Sequence, residues 1–214
     1  MESTHCNGKR RTIKHALKTS QNDAKSVGKE EIMEFFYQID SWILMWIQSL
    51  RQDWMTPFWK TITLLGNAGY IWILLTVYLL LRPQLQKIGA TVLLALLFGA
   101  LVTNVLFKPL FARIRPYEVI DGLVLLVNKQ SDYSFPSGHS CAAFAAATVC
   151  WKMLPRPYGG SILLLAALMA FSRLYVGVHY PSDVLGGILI GTAAGLAAMK
   201  LIHGISRKKT LEKG

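Results

Sequence analysis

The chain has 214 residues, of which 52% are hydrophobic and only 16% charged, and its formal net charge is +11. A water-soluble domain carries about 25% charged residues, so the composition excludes an ordinary soluble fold and, with a mean hydropathy of +0.35, points to a membrane protein of one domain. The basic residues cluster at the ends of apolar stretches, which argues against nucleic acid and for anionic lipid or an anionic substrate as the partner of that charge.

Residues 1–32 are polar and basic, with Lys9, Arg10, Arg11, Lys14, Lys18, Lys25 and Lys29 and no apolar signal core, and read as a disordered tail. Composition changes abruptly at Met33-Glu34-Phe35-Phe36, which makes Met33 a candidate natural start. Residues 33–54 form the next unit. Within it Phe35, Phe36, Ile39, Trp42, Ile43, Trp46, Ile47 and Leu50 share one helical stripe, with Asp40, Ser41 and Gln48 largely opposite. The two tryptophans and the shortness of the segment favour an interfacial helix, with a short sixth span as the alternative.

A membrane-embedded helical bundle is expected over 55–203, followed by a basic cytoplasmic tail, 204–214. Five apolar stretches fill the bundle, at roughly 61–81, 88–107, 139–154, 161–178 and 184–202, against about 20 apolar residues needed for a span. The fold class is therefore all-α, a polytopic helical bundle. "GNAG" in the first stretch predicts a bend or helix restart. "GGILIGTAAG" in the last predicts close helix packing through small residues. Cys141 and Cys150 share one apolar run, roughly 13 Å apart on a helix, too far for a disulfide, so they read as packing residues. Arg82, Lys87, Lys152, Arg156, Lys200, Arg207, Lys208 and Lys209 fall on one side of a five-span topology, which the positive-inside rule makes cytoplasmic. Connections 108–138 and 179–183 then face outward. A basic N-terminal tail on that outer side conflicts with the same rule.

Three clusters in the outer connections carry chemistry: "KPLFARIRP" with Lys108, Arg113, Arg115 and Pro116; "PSGH", 136–139; and "SRLYVGVHYPSD" with Ser172, Arg173, His179 and Asp183. Taken singly, Lys108 and Arg115 could be snorkelling charges, and Pro136, Ser137 and Gly138 a plain helix start. Arg173 is harder to dismiss, because a charge at the edge of an apolar run costs about 2.5–3.5 kcal/mol and normally faces inward to a partner. Pro181 predicts the first turn of the last helix, where the dipole favours Asp183. From there Asp183 can accept from His179 Nδ1–H and leave Nε2 as a lone pair, the arrangement of a nucleophile or base. The bland alternative is a capping aspartate beside an interfacial histidine. Together, cations, a helix mouth and two histidines suit a phosphoryl group. No carboxylate cluster suggests magnesium.

In these residues the sequence resembles the membrane type 2 phosphatidic acid phosphatase family, which shares its site with vanadium-dependent haloperoxidases. The family pattern is a lysine, six residues and Arg-Pro, then Pro-Ser-Gly-His, then Ser-Arg, five residues, His, three residues and Asp. Lys108, Arg115, Pro116, Pro136, Ser137, Gly138, His139, Ser172, Arg173, His179 and Asp183 match it with the right gaps, and the resemblance covers about residues 55–203. It implies that His179 attacks phosphorus, that Asp183 orients it, and that His139 protonates the leaving oxygen and later activates water. Lys108, Arg115 and Arg173 would hold the phosphate oxygens, with Ser137 and Gly138 completing the cradle. Arg113 lies outside the pattern and reads as a headgroup-binding or interfacial charge. Tyr117, Tyr133 and Tyr180 are candidates for the headgroup level.

The implied function is a lipid phosphatase without cofactor or metal, acting on a lipid phosphate or pyrophosphate at the outer face of a bacterial plasma membrane. Undecaprenyl pyrophosphate is the first substrate choice and phosphatidylglycerol phosphate or phosphatidic acid the next. A vanadium haloperoxidase and a non-catalytic lipid-binding or transport protein are the competing classes. The bilayer is the expected partner; the oligomeric state stays open.

Overall fold

The computed structural model describes residues 34–211, which form helices and connections without strands. The expectations for the tail 1–32, for Met33 and for the side chains of Lys208 and Lys209 lie outside the described residues. The chain divides between Trp42 and Ile43, and everything that follows about the site belongs to the part beginning at Ile43.

Helix α1 covers 34–49. Its expected apolar stripe is split: Phe35, Phe36, Ile39, Trp42, Trp46 and Leu50 are exposed, whereas Asp40, Leu44 and Ile47 are buried. The first apolar stretch is a broken helix. α2 (Thr56–Leu65) starts on Pro57, whose missing N–H costs nothing in a first turn, and stops at Gly66. A 3-10 turn, Asn67–Gly69, follows, with Gly69 at φ 72. α3 (Tyr70–Leu81) then leaves at 51° to α2. The bend predicted from "GNAG" is therefore present.

α4 (Gln86–Ala100) returns toward the site end and continues as a π-helical segment, Leu101–Phe107, into α5 (Lys108–Phe111) and, after a break, α6 (Pro116–Val119). α7 (Gly138–Met153), α8 (Arg156–Tyr175) and α9 (Pro181–Leu211) complete the bundle. Three helical segments are long and apolar enough to cross a membrane, Pro83–Val119, Arg156–Tyr175 and Pro181–Arg207, and the bent α2–α3 pair makes a fourth. α7, with 16 residues, is shorter and is the most enclosed element, packed on α4, α8 and α9. The protein is a multi-pass membrane helical bundle.

α7 can be central because its side chains are small. Ala143, Ala145, Ala146, Ala147, Val149 and Cys150 have no exposure. α9 approaches it through Gly187, Gly191 and Gly195, spaced four apart on one helical face. A Cβ on Gly191 would fall 2.2 Å from the Cys141 carbonyl oxygen, and one on Gly187 2.4 Å from that of Ser137. Without a hydrophobic drive between helices in lipid, backbone-to-backbone contact of this kind supplies the packing energy. Large apolar side chains such as Leu74, Val77, Leu81, Val105 and Leu189 point outward, which an apolar solvent permits. Both described cysteines are buried and unpaired.

The bundle ends set the position of the site. Odd passes run away from it and even passes return, so the α5–α6 region, the start of α7 and the α8–α9 connection meet at one end. The connection 120–137 lies over that end, pinned by Arg51 Nη1 donating to Val124 O (2.8 Å), by Val124 N–H donating to Gln48 Oε1 (2.7 Å), and by Leu126 N–H donating to Val176 O (3.1 Å).

Candidate active site

The first motif is shaped by Pro109 and Ala112. Proline has no N–H and crowds the carbonyl four residues earlier, and the helix widens into a π-turn immediately before it, a feature that recurs at functional sites. Lys108 is thereby turned inward and is 8% exposed. Ala112 then adopts a left-handed conformation (φ 43) while its N–H donates to Lys108 O (2.9 Å). For a non-glycine residue this costs about 1–2 kcal/mol, and it reverses the chain so that Arg113 and Arg115 return toward Lys108. Arg115 is buried. It donates from Nη1 to Val178 O (2.9 Å) and from Nε to Asp132 O (2.9 Å), and its Nη2 lies 2.5 Å from Asp132 Oδ1. The other oxygen of the same carboxylate, Oδ2, accepts from Lys108 Nζ.

The second motif opens α7. Ser137 is its N-cap: its Oγ accepts from Ser140 N–H (3.4 Å) and from Ser140 Oγ–H (3.0 Å), and its own N–H donates to Asp183 O (3.0 Å). Its hydroxyl thus serves the helix start, a use that satisfies one orphan donor of the first turn. Gly138 begins the helix, and a Cβ there would lie 3.8 Å from Lys108 Nζ, so the ammonium stands over the helix mouth. His139 follows. Its Nε2 is 3.2 Å from Asn67 Oδ1, and a Cβ on Gly66 would be 2.7 Å from its ring. The break between α2 and α3 therefore both makes room for His139 and supplies its hydrogen-bond partner.

The third motif spans the end of α8 and the start of α9. Arg173, 2% exposed, donates from Nη1 to Thr63 Oγ1, and its Nε has no hydrogen-bond partner. Among the described residues no carboxylate pairs with it. Ser172 is spent on the Met169 carbonyl (2.7 Å). Gly177 turns the chain with φ 79, and His179 and Asp183 follow four apart as expected. The Nδ1–Oδ2 separation is 3.4 Å, a charge contact longer than a formed hydrogen bond, and Nδ1 has no other partner. His179 Nε2 faces Arg115 Nη1 at 3.5 Å. Such contacts are commonly loose in the unliganded state and tighten on substrate.

Asp183 is fully buried and well satisfied. Oδ2 accepts from Ser134 Oγ–H (2.5 Å) and Tyr180 N–H (2.9 Å), and Oδ1 from Arg113 Nη1 (2.7 Å). Arg113 also donates to Ser182 Oγ (2.6 Å) and lies over the Tyr180 ring at 4.0 Å. Expected from the sequence to be a headgroup-binding or interfacial charge, it is the ionic partner of the buried aspartate. Tyr180 is likewise buried.

Burial pushes the His179 imidazole down to about 4, against the raising effect of Asp183, so the ring is neutral at pH 7. Partial burial favours the neutral Asp132 carboxyl, but the Lys108 hydrogen bond and the charges of Lys108 and Arg115 outweigh it and hold the group at about 2. A cavity of about 600 Å³ begins at Lys108, Gly138 and His139 and continues between Ile73, Leu93 and Leu97. It joins the polar cluster to an apolar slot.

The structure thus gathers Lys108, Arg115, Gly138, His139, Arg173, His179 and Asp183 at one end of the bundle, with Ser137 behind the helix mouth. Sequence reasoning missed Asp132, Ser134 and Asn67. The signal for Asp132 was a charge imbalance: three converging cations with one carboxylate require another anion. Nothing local marked Ser134 or Asn67.

Residues 88–207, which contain all three motifs, match the sequence model of the PAP2 superfamily. The chain belongs to this superfamily. It is 35% identical over 123 residues to an undecaprenyl-diphosphatase of Sulfolobus acidocaldarius, an alignment covering 58% of this chain and 59% of the relative's length. Among solved PAP2 structures it resembles LpxE of Aquifex aeolicus (TM-score 0.66, 28% identity, 74% of this chain and 93% of that one). It also resembles a transmembrane PAP2-type phosphatidylglycerolphosphate phosphatase of Bacillus subtilis (TM-score 0.62, 28% identity, 80% and 86%).

Proposed function

We propose that this PAP2 protein is a membrane lipid phosphatase that removes a phosphate from a lipid phosphate or pyrophosphate through a phosphohistidine on His179. The observation that carries the reading is Arg173, a buried guanidinium with no carboxylate partner among the described residues, beside a neutral, buried imidazole. A buried cation is costly unless paired, and a phosphoryl group is the anion that also gives the imidazole something to attack. Nε2 forms the N–P bond as the P–O bond to the leaving group breaks, and His139, protonated when the bound phosphoryl anion offsets the surrounding cations, delivers that proton to the departing oxygen. Water then attacks the phosphohistidine, His139 takes its proton, and inorganic phosphate leaves. Arg115 and Arg173 stabilise charge on the equatorial oxygens throughout. Asp183 holds the imidazole and offsets the charge it acquires. The apolar slot beyond His139 suits a lipid tail on the leaving-group side.

Undecaprenyl pyrophosphate is the substrate we place first, on the similarity to the Sulfolobus relative, and phosphatidylglycerol phosphate second, on the Bacillus structure. The site would face outward across the plasma membrane. The test is phosphate release in detergent with EDTA from undecaprenyl pyrophosphate, phosphatidylglycerol phosphate and phosphatidic acid, with His179→Ala as control. Release that His179→Ala abolishes, with an acid-labile phosphoenzyme trapped on His179, is expected. Undiminished release by His179→Ala would remove the nucleophile assignment, and no release from any lipid would favour a binding or transport role.

A further inference from the structure

Asp132 is not part of the three motifs, yet its carboxylate spans two of the three cradle cations, one oxygen on Lys108 and the other on Arg115. Two oxygens across two fixed cations is the contact a phosphoryl group would make with the same pair. The partners differ in mobility of charge. Lys108 and Arg115 are buried, whereas the Asp132 side chain is 49% exposed. A turn of its side chain returns Asp132 to water, while the cations cannot follow. The backbone around it is pinned, by Tyr117 Oη with the Gln130 backbone on one side (3.1 and 3.2 Å) and by Ser134 N–H donating to Arg113 O on the other (2.8 Å). Exchange therefore needs only the side chain to move.

We propose that Asp132 is a specificity-determining competitor for the phosphate cradle, displaced by a doubly charged phosphoryl group but not by a singly charged phosphodiester. The inference rests on the phosphatase reading above. A terminal phosphomonoester or pyrophosphate carries close to two charges at pH 7 and three free oxygens, enough to take Lys108 and Arg115 and still reach Arg173. A phosphodiester headgroup carries one charge and two free oxygens, no more than Asp132 already offers from within the protein. Phosphodiester lipids make up the bulk of a phospholipid bilayer, so an open basic cradle beside a lateral apolar slot would be occupied by them. Asp132 stays ionised throughout the working pH range, and its return to Lys108 and Arg115 also displaces the product phosphate.

The test uses full-length wild type, Asp132→Asn and Asp132→Glu in detergent, with melting temperatures to establish folding. Binding of inorganic phosphate by calorimetry needs no turnover. Asp132→Asn is expected to bind it on the order of tenfold more tightly, the scale of one lost charge-assisted competitor, and Asp132→Glu to stay near wild type. Hydrolysis of phosphatidic acid is then measured with phosphatidylglycerol added to the micelles. Wild type and Asp132→Glu should be insensitive to the diester and Asp132→Asn inhibited by it. Weaker or unchanged phosphate binding by Asp132→Asn would overturn the proposal, showing that the carboxylate holds the cations in place. Tighter phosphate binding without inhibition by phosphatidylglycerol would overturn the selectivity it claims. Tight phosphate binding by a wild type that turns over no lipid would sink the phosphatase reading instead, and the two failures are distinguishable.

Discussion

Gly187→Ala should damage catalysis more than stability. The added Cβ would lie 2.4 Å from the Ser137 carbonyl oxygen, 2.9 Å from Ser140 Cβ and 3.2 Å from the Cys141 nitrogen, where ordinary contact begins at 3.4 Å. The nearest atom is backbone, and it already accepts from Cys141 N–H (3.0 Å), so no side chain can turn aside. α7 and α9 must therefore part by about 1 Å at the level of the site. Overpacking of this kind costs about 1–3 kcal/mol, and the change from glycine to alanine inside a helix returns about 1 kcal/mol. The net loss of stability is on the order of 1 kcal/mol. The geometric consequence is larger, because α7 carries His139 and α9 carries Asp183, each within about a turn of the contact. A misplacement of about 1 Å costs on the order of 100-fold in rate. The assay is kcat/KM for phosphatidic acid hydrolysis beside the melting temperature in the same detergent. Gly204→Ala is the control: nothing lies within 4 Å of its Cβ, it gains the same helix propensity, and its rate should not change. A Gly187→Ala enzyme whose kcat/KM stays within about twofold of wild type would refute the claim that this contact sets the spacing of His139 and Asp183.

Arg173→Met should remove phosphate binding and lower kcat/KM by a factor on the order of 100–1,000 while raising the melting temperature, since a buried cation without a carboxylate is replaced by an apolar chain of similar length; calorimetry and a melt in the same buffer check both signs. Arg113→Gln should destabilise by about 3 kcal/mol or less, the scale for breaking a buried ion pair with one partly exposed member. Its kcat should fall with KM nearly unchanged, because Arg113 acts on Asp183 and not on the phosphate, and Arg113→Lys should recover part of the loss; a rise in KM alone would contradict that. Burial disfavours the imidazolium of His179, so its ring should remain neutral as pH falls and take up a proton only near pH 4. An NMR titration of labelled histidine, assigned with His179→Ala, checks this, and a midpoint near the ordinary 6.5 would show that the ring is wetter than its burial implies.

Much of this site could be read from the chain because its parts are local in sequence. Pro136 to His139 form one turn, and His179 and Asp183 are one helical turn apart across Pro181, so spacing alone places them. The bend at "GNAG" and the close seam at Gly187, Gly191 and Gly195 were legible for the same reason: each follows from what a glycine lacks. Helix limits were less so. α8 starts at Arg156, not 161, because Pro155 and Pro157 open a helix that hydropathy alone does not count, and α9 runs on to Leu211 through polar residues. Asp132 and Ser134 escaped because they act across 24 and 49 residues from a connection with no periodicity. Arg113 was visible but misassigned, for want of any local sign that its side chain turns to Asp183.

Those pairings change the charge count of the site in a way no linear reading supplies. Arg113 is taken by Asp183, while Lys108 and Arg115 share Asp132, and among the described residues no carboxylate pairs with Arg173. Leaving the two imidazoles aside, the four cations exceed the two carboxylates by two charges. That surplus is the complement of a phosphomonoester dianion. It also locates the surplus: one charge is on Arg173, fixed and buried, and the other is shared between Lys108 and Arg115, where the anion in place is the one side chain exposed enough to leave. A ligand that reaches Arg173 and bridges Lys108 and Arg115 takes the place of Asp132 and meets all three cations, which a phosphate with three free oxygens can contact together and a carboxylate or a phosphodiester, with two, cannot.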